Sequence, residues 1–186
     1  MKRHIFFAAA ALLCASAMVA EVPTTLGGRW VSAPAEAMEG TAAITTVYDI
    51  DFGSEASKGD CTFVSTVDFK GQQMGSREMK VNVKCHVNGT GQWSLADGVL
   101  ILTFKPENLT VKIPAEEVEL DIPEVMKVAM AARMDEFLPA ITGSLEEAIQ
   151  KELTTDGIKF DHVDIEGDPA TLTLNDDGVT VTFTRQ

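Results

Sequence analysis

The chain has 186 residues, 45% of them apolar and 23% charged, which suits about one folded domain and excludes a wholly disordered chain. Its net charge is −13, and no basic patch or stripe interrupts the acidic surplus, which argues against a nucleic-acid binder. No apolar run of about 18 or more residues lies in the body of the chain, so no transmembrane segment is expected after the first residues.

The N-terminus reads as an address. Lys2, Arg3 and His4 precede the apolar stretch Ile5 to Cys14, and the small residues Ala15, Ser16, Ala17 and Ala20 follow. This is the pattern of a secretory signal peptide over residues 1–20, with cleavage after Ala17 or after Ala20. The apolar stretch is too short to span roughly 30 Å as a helix. Loss of Lys2 and Arg3 takes the charge from −13 to −15. A secreted or periplasmic protein is expected. Lipid anchoring through Cys14 is the lesser alternative, because Leu13 precedes that cysteine and the small residues come after it.

Residues 21–186 then read as one domain. Gly28 to Ser32 makes a short first strand. Ala42 to Phe52 alternates Ile44, Thr46, Tyr48, Ile50 and Phe52 against polar neighbours, the period of a half-buried strand. Cys61, Phe63, Ser65, Val67 and Phe69 alternate in the same way, as do Met79, Val81, Val83 and Cys85. The polar, glycine-bounded stretch Lys70 to Ser76 separates these two runs. A hairpin centred on Gln73 would set Cys61 opposite Cys85, Phe63 opposite Val83 and Val67 opposite Met79. A Cys61–Cys85 disulfide, permissible in a secreted chain, would then contribute roughly 3 kcal/mol; two free buried thiols are the alternative. Two cysteines and two scattered histidines match no zinc pattern, so no metal is expected.

Further strands are expected at Gly91 to Leu95, Val99 to Lys105 and Asn108 to Ile113. Asp97-Gly98 makes the first of these turns, a strong hairpin signal. Phe160 to Glu166, Ala170 to Leu174 and Val179 to Arg185 complete the set, with Asp177-Gly178 at the last turn. Between them lies a helical insertion over 123–154. Pro123 suits a first turn, and Val125, Val128, Ala129 and Ala132 recur at helical spacing. Met126, Met130, Met134 and Phe137 form a second, Met-rich stripe. Pro139 and Gly143 are expected to end or kink this helix. Ser144, with Glu147 three residues on, is expected to cap another, whose stripe is Leu145, Ala148, Ile149 and Leu153.

Gly28-x-Trp30 on the first strand, followed by successive hairpins to Phe104, resembles the start of the secreted bacterial lipocalin-like (calycin) domains. The resemblance implies a barrel with a cavity for a small apolar ligand and carries over no catalytic residue. The order departs from the family's, in which the main helix follows the barrel; here it precedes the last three strands. A mainly β fold is expected, an antiparallel β-barrel or strongly curved sheet with the helical segment across its mouth or open side. An α+β fold with a sheet packed on a helical pair is the alternative.

Residues for chemistry are few. His86 lies on the polar side of its strand and reads as a solvated surface side chain. His162 lies among Asp161, Asp164 and Glu166, but strand alternation separates it from Asp161. Asp164 to Asp168 has part of a calcium-loop spacing and lacks the rest. The acids from Glu116 to Glu124 read as an exposed face. No enzyme and no cofactor are expected. The leading reading is a non-enzymatic binding protein for a small apolar ligand, with Trp30, Tyr48, Phe63, Val83, Met126, Met130 and Phe137 as the candidate lining. The second is an envelope or surface module with a filled core that binds a protein partner through a sheet edge or its acidic face.

Overall fold

The computed structural model describes residues 26–186 apart from 55–56, 75, 132, 167–170 and 177–178. The expected signal peptide over residues 1–20, both cleavage positions and Cys14 lie outside the described residues. In chain order the elements are β1 (Arg29–Ser32), β2 (Ala35–Glu39), β3 (Ala42–Asp51), β4 (Lys58–Met74), β5 (Ser76–Ala96) and β6 (Val99–Lys112). A 3-10 turn (Ala115–Glu117) and β7 (Val118–Asp121) lead to α1 (Glu124–Ala131) and α2 (Met134–Thr155). The chain ends with β8 (Ile158–Phe160), β9 (His162–Glu166), β10 (Thr171–Asp176) and β11 (Val179–Arg185). The fold is mainly β with the helices before the last strands, as expected. No helix among the described residues is long and apolar enough to cross a membrane.

The strands form one antiparallel, barrel-shaped sheet in the order β8-β6-β5-β4-β3-β1-β11-β10-β9. That order follows the chain around the barrel, so the helical interruption does not disturb an up-and-down path. The expected strand from Phe160 to Glu166 is bent at Asp161. Its first part, β8, pairs with β6, and its second, β9, pairs with β10. The Asp161 N–H donates to the Asn175 carbonyl at 2.8 Å. The two ends of the sheet are thus joined by the chain itself and the barrel is nearly closed.

β1 and β2 share one partner. β1 pairs with Asp49 to Asp51 of β3, and β2 with Ala42 to Thr46. At the break, just before Pro34, the Tyr48 N–H donates to Ser32 Oγ at 2.8 Å, which replaces the missing ladder bond. The two strands expected within 99–113 are one strand, β6, with an irregularity. Gly89 lies opposite Leu109 and Gly91 opposite Phe104, so Lys105 to Asn108 bulge out around Pro106, which has no N–H to contribute.

The hairpin register differs from the one expected. Cys61 lies opposite Gly91, Cys85 opposite Val67, Phe63 opposite Gly89 and Val83 opposite Phe69. Val67 therefore does not face Met79, and the pairing ends with Met74 opposite Ser76. The inward faces agree with expectation, because a slip by an even number of residues preserves the side-chain alternation. Gly71, expected in the turn, sits in β4 at a bulge with φ +74°, its N–H on Asn82 Oδ1 at 2.8 Å. Both cysteines are free. Six residues of strand separate Cys85 from the position opposite Cys61, about 20 Å, far beyond the reach of a disulfide.

The helices also differ. α2 runs through Pro139, Gly143 and Ser144. Ser144 does not cap it; its hydroxyl donates back to the Ala140 carbonyl at 2.9 Å. Leu145, Ile149 and Leu153 pack against the barrel, whereas Ala148 is exposed. On α1, Val125 and Val128 are exposed rather than packed.

Much of the interior is aromatic. Tyr48 lies 6.0 Å from Phe63, 6.2 Å from Phe160 and 6.0 Å from Phe183 between ring centroids. Phe63 meets Phe104 at 5.1 Å and Phe52 meets Trp93 at 5.3 Å. Both indoles are satisfied: Trp30 Nε1 donates to the Leu26 carbonyl at 2.7 Å and Trp93 Nε1 to that of Phe52 at 3.0 Å.

Gly157, between α2 and β8, has φ +68°, and a Cβ there would stand 2.3 Å from the Leu102 carbonyl oxygen. Gly157→Ala should cost about 2–4 kcal/mol, from the left-handed backbone and the backbone clash together. Gly98→Ala, at φ +75° with open space around it, should cost only about 1–2 kcal/mol. Urea unfolding midpoints of the two variants check the difference.

Candidate ligand cavity

Inward positions on β4 and β5 supply one wall of a cavity at the end of the barrel where α2 meets β8. It measures about 490 Å³, within the range of small-molecule sites. Tyr48, Phe63, Val67, Phe69 and Val87 form its apolar wall, Ile149 and Leu153 of α2 its cover, and Ile158 of β8 its side. Glu152, Asp156, Lys159 and Asp161 make a polar rim. Larger grooves of about 780 and 620 Å³ run past Lys58, Asp60, Gln92 and Thr103, which are exposed side chains, so these grooves are open surface rather than interior.

Two side chains hold α2 over this end. Gln150 Nε2 donates to the carbonyls of Pro106 and Leu109 at 3.1 and 2.9 Å. Glu146 Oε1 accepts the Ile113 N–H at 2.8 Å. Both reach backbone at or near the β6 irregularity, where the ladder has left polar groups to satisfy. The bulge in the strand thus becomes the seat of the helix.

Ser65 is the unusual member of the wall. It stands in the inward row of β4 between Phe63 and Val67, where every other side chain is apolar. It is 3% exposed, and its Oγ has no hydrogen-bond partner among the described residues. A hydroxyl buried without a partner costs about 1–3 kcal/mol. A ligand carrying a donor or acceptor would offset that cost.

Cys85 also lines the cavity. Burial, and then the charge of Glu146, push its thiol up to about 12. Burial raises Cys61 to about 11, opposed by a backbone hydrogen bond from Gly91. Both sulfurs are therefore neutral at physiological pH and poor nucleophiles. His86, expected to be solvated, pairs through Nε2 with Glu117 Oε2 at 2.6 Å and is half-buried. His162 is exposed.

Of the seven expected lining residues, Tyr48 and Phe63 line the cavity. Trp30 and Val83 are buried elsewhere in the core. Met126 and Phe137 are half-buried on the helices, away from the wall. The Met130 side chain lies outside the described residues. Ser65, Val67, Phe69, Cys85 and Val87 were within reach of sequence reasoning, since they share the inward alternation of Phe63. Ile149 and Leu153 belong to the stripe expected on the second helix. Their meeting with β4 was not legible, because it depends on the β6 irregularity.

Compared with models of known protein families and with curated proteins, the chain matches none.

The thiols give a direct check. Iodoacetamide at pH 8 should leave the folded chain unmodified at both positions, and urea should make both react. The raised values also fix a sign. As pH rises from the ordinary thiol value of 9.0, the unfolded chain loses these protons first, so stability falls between about pH 9 and 12. A Cys61→Ala, Cys85→Ala double variant should show a shallower alkaline loss in unfolding midpoint.

Proposed function

We propose that the protein is a non-enzymatic, secreted or periplasmic binding protein of lipocalin-like type, which holds a small, largely apolar molecule in the cavity between the barrel and α2. The observation that carries this reading is an aromatic- and aliphatic-walled recess, partly open to solvent, beside an otherwise close-packed interior. The up-and-down strand order supports the lipocalin-like reading, and the helical cover supports a site that shields its contents from water. The partnerless Ser65 hydroxyl supplies one oriented polar contact in an apolar surround, the common make-up of small-molecule sites. The second reading, a surface module for a protein partner, draws on Val125 and Val128. They are 83% and 74% exposed and three residues apart on α1, which puts them on one helical face.

N-phenyl-1-naphthylamine, a neutral dye that brightens in apolar surroundings, tests the cavity. Saturable binding of one dye per chain is expected. Ser65→Leu intrudes into the apolar wall and removes no hydrogen bond, so dye affinity should fall at least about ten-fold while the unfolding midpoint changes little. Dye that does not bind, or that binds the variant equally well, would overturn the cavity reading.

A further inference from the structure

We infer that the cavity holds an uncharged molecule bearing a hydroxyl or carbonyl oxygen, which meets the Ser65 and Thr46 hydroxyls at the inner wall while its apolar part lies against Phe63, Val67 and Val87. The inference rests on the binding reading above and deepens it by assigning the ligand's polar group.

Among the described residues, two buried side-chain atoms lack a hydrogen-bond partner, Thr46 Oγ1 and Ser65 Oγ. They belong to neighbouring residues. β3 and β4 pair Thr46 with Val67 and Tyr48 with Ser65, so Thr46 and Ser65 lie diagonal to each other. Both stand in the inward, buried rows of their strands. Thr46 is fully buried, and the β4 residues beside it, Ser65, Val67 and Phe69, all line the cavity. Diagonal positions across a sheet are about 7 Å apart. One oxygen between two hydroxyls, hydrogen-bonded at about 2.8 Å to each, spans such a gap. A hydroxyl can donate or accept, so an alcohol or a ketone oxygen can engage both.

The surroundings select a neutral group. The charged residues of the lining, Glu152, Asp156, Lys159 and Asp161, stand at the rim. The wall around the two hydroxyls has none, and its Cys85 thiol is neutral as well. An ionic head seated there would lose its hydration with no counter-ion beside it, which is costly. A pure hydrocarbon would leave both hydroxyls unpaired. An uncharged oxygen on an apolar body meets both conditions.

Naphthalene, 2-naphthol, 2-naphthoate and 2-naphthylmethylammonium present one ring system with four different ends. Each is titrated at neutral pH against the full chain loaded with N-phenyl-1-naphthylamine. The naphthol should displace the dye most tightly. Thr46→Val keeps the shape of its side chain and Ser65→Ala removes one atom. Each should weaken the naphthol about two- to ten-fold and leave naphthalene as tight or tighter. Thr182→Val, on the exposed face of β11, should change neither. Naphthalene binding as tightly as the naphthol is the result expected if a water already joins the hydroxyls, and it would overturn the inference. So would tighter binding of either ion, no loss of naphthol in the two inner variants, or equal loss of naphthol and naphthalene; in each case the cavity stands. If the dye itself fails to bind, the cavity reading falls first and this one with it.

Discussion

The handover from α2 to β8 leaves no room for a side chain. At Gly157 the backbone turns into the left-handed region and presses against the Leu102 carbonyl of β6. Any Cβ would push the two apart. That contact sets how near the end of α2 lies to the barrel, and so the depth of the space under the helix. It also delivers Ile158 to Phe160 onto the free side of β6 in register with Leu100 to Leu102. The bend at Asp161 then passes the chain to β10. Cover, side wall and closure of the barrel all follow from one residue being a glycine.

Below that level the interior is built differently. Trp30, Phe52, Phe63, Phe160 and Phe183 are fully buried, together with Leu100, Leu102, Leu172 and Leu174. Their large faces supply most of the hydrophobic driving force. The two indoles reach backbone carbonyls and so bury no unpaired donor. This packing reaches into the cavity wall itself, since Phe63 belongs to both. Gly91 serves it in its own way: a Cβ there would stand 2.7 Å from the Phe104 ring. Its bare backbone admits the aromatic contact between Phe104 and Phe63.

The strands were legible because alternation is a local property. Cys61 to Phe69 and Val81 to Cys85 announce which side chains face inward without reference to any partner. Asp97-Gly98 announces its turn in the same local way, and both residues have positive φ. Register is not local. An even slip leaves every face unchanged, so nothing in the pattern of Phe63 and Val83 could say that they are not opposite each other. The observed pairing is six residues away from the expected one, and the bulge at Gly71 shifts it by one more. The helix boundary failed for a related reason. Pro139 and Ser144 favour a break, and tertiary contacts overrode them: Leu145, Ile149 and Leu153 dock on the barrel while Glu146 and Gln150 clamp β6. The cavity lies where these non-local contacts converge. Its strand half could be read and its helical half could not.

The pairing of β1 with β11 joins opposite ends of the chain, with Trp30 beside Arg185. Ribosomal synthesis delivers those two strands at opposite times. Until Val179 to Arg185 emerge, β1 and β10 each present a bare edge, and unpaired edges recruit other chains. Contacts this distant in sequence also form slowly. A chain shortened by its last strand would keep every hairpin up to β10 and still lack a ring. Closure of the barrel on this side therefore waits for Val179 to Arg185, and until they are made the edges of β1 and β10 are open to strands of other chains.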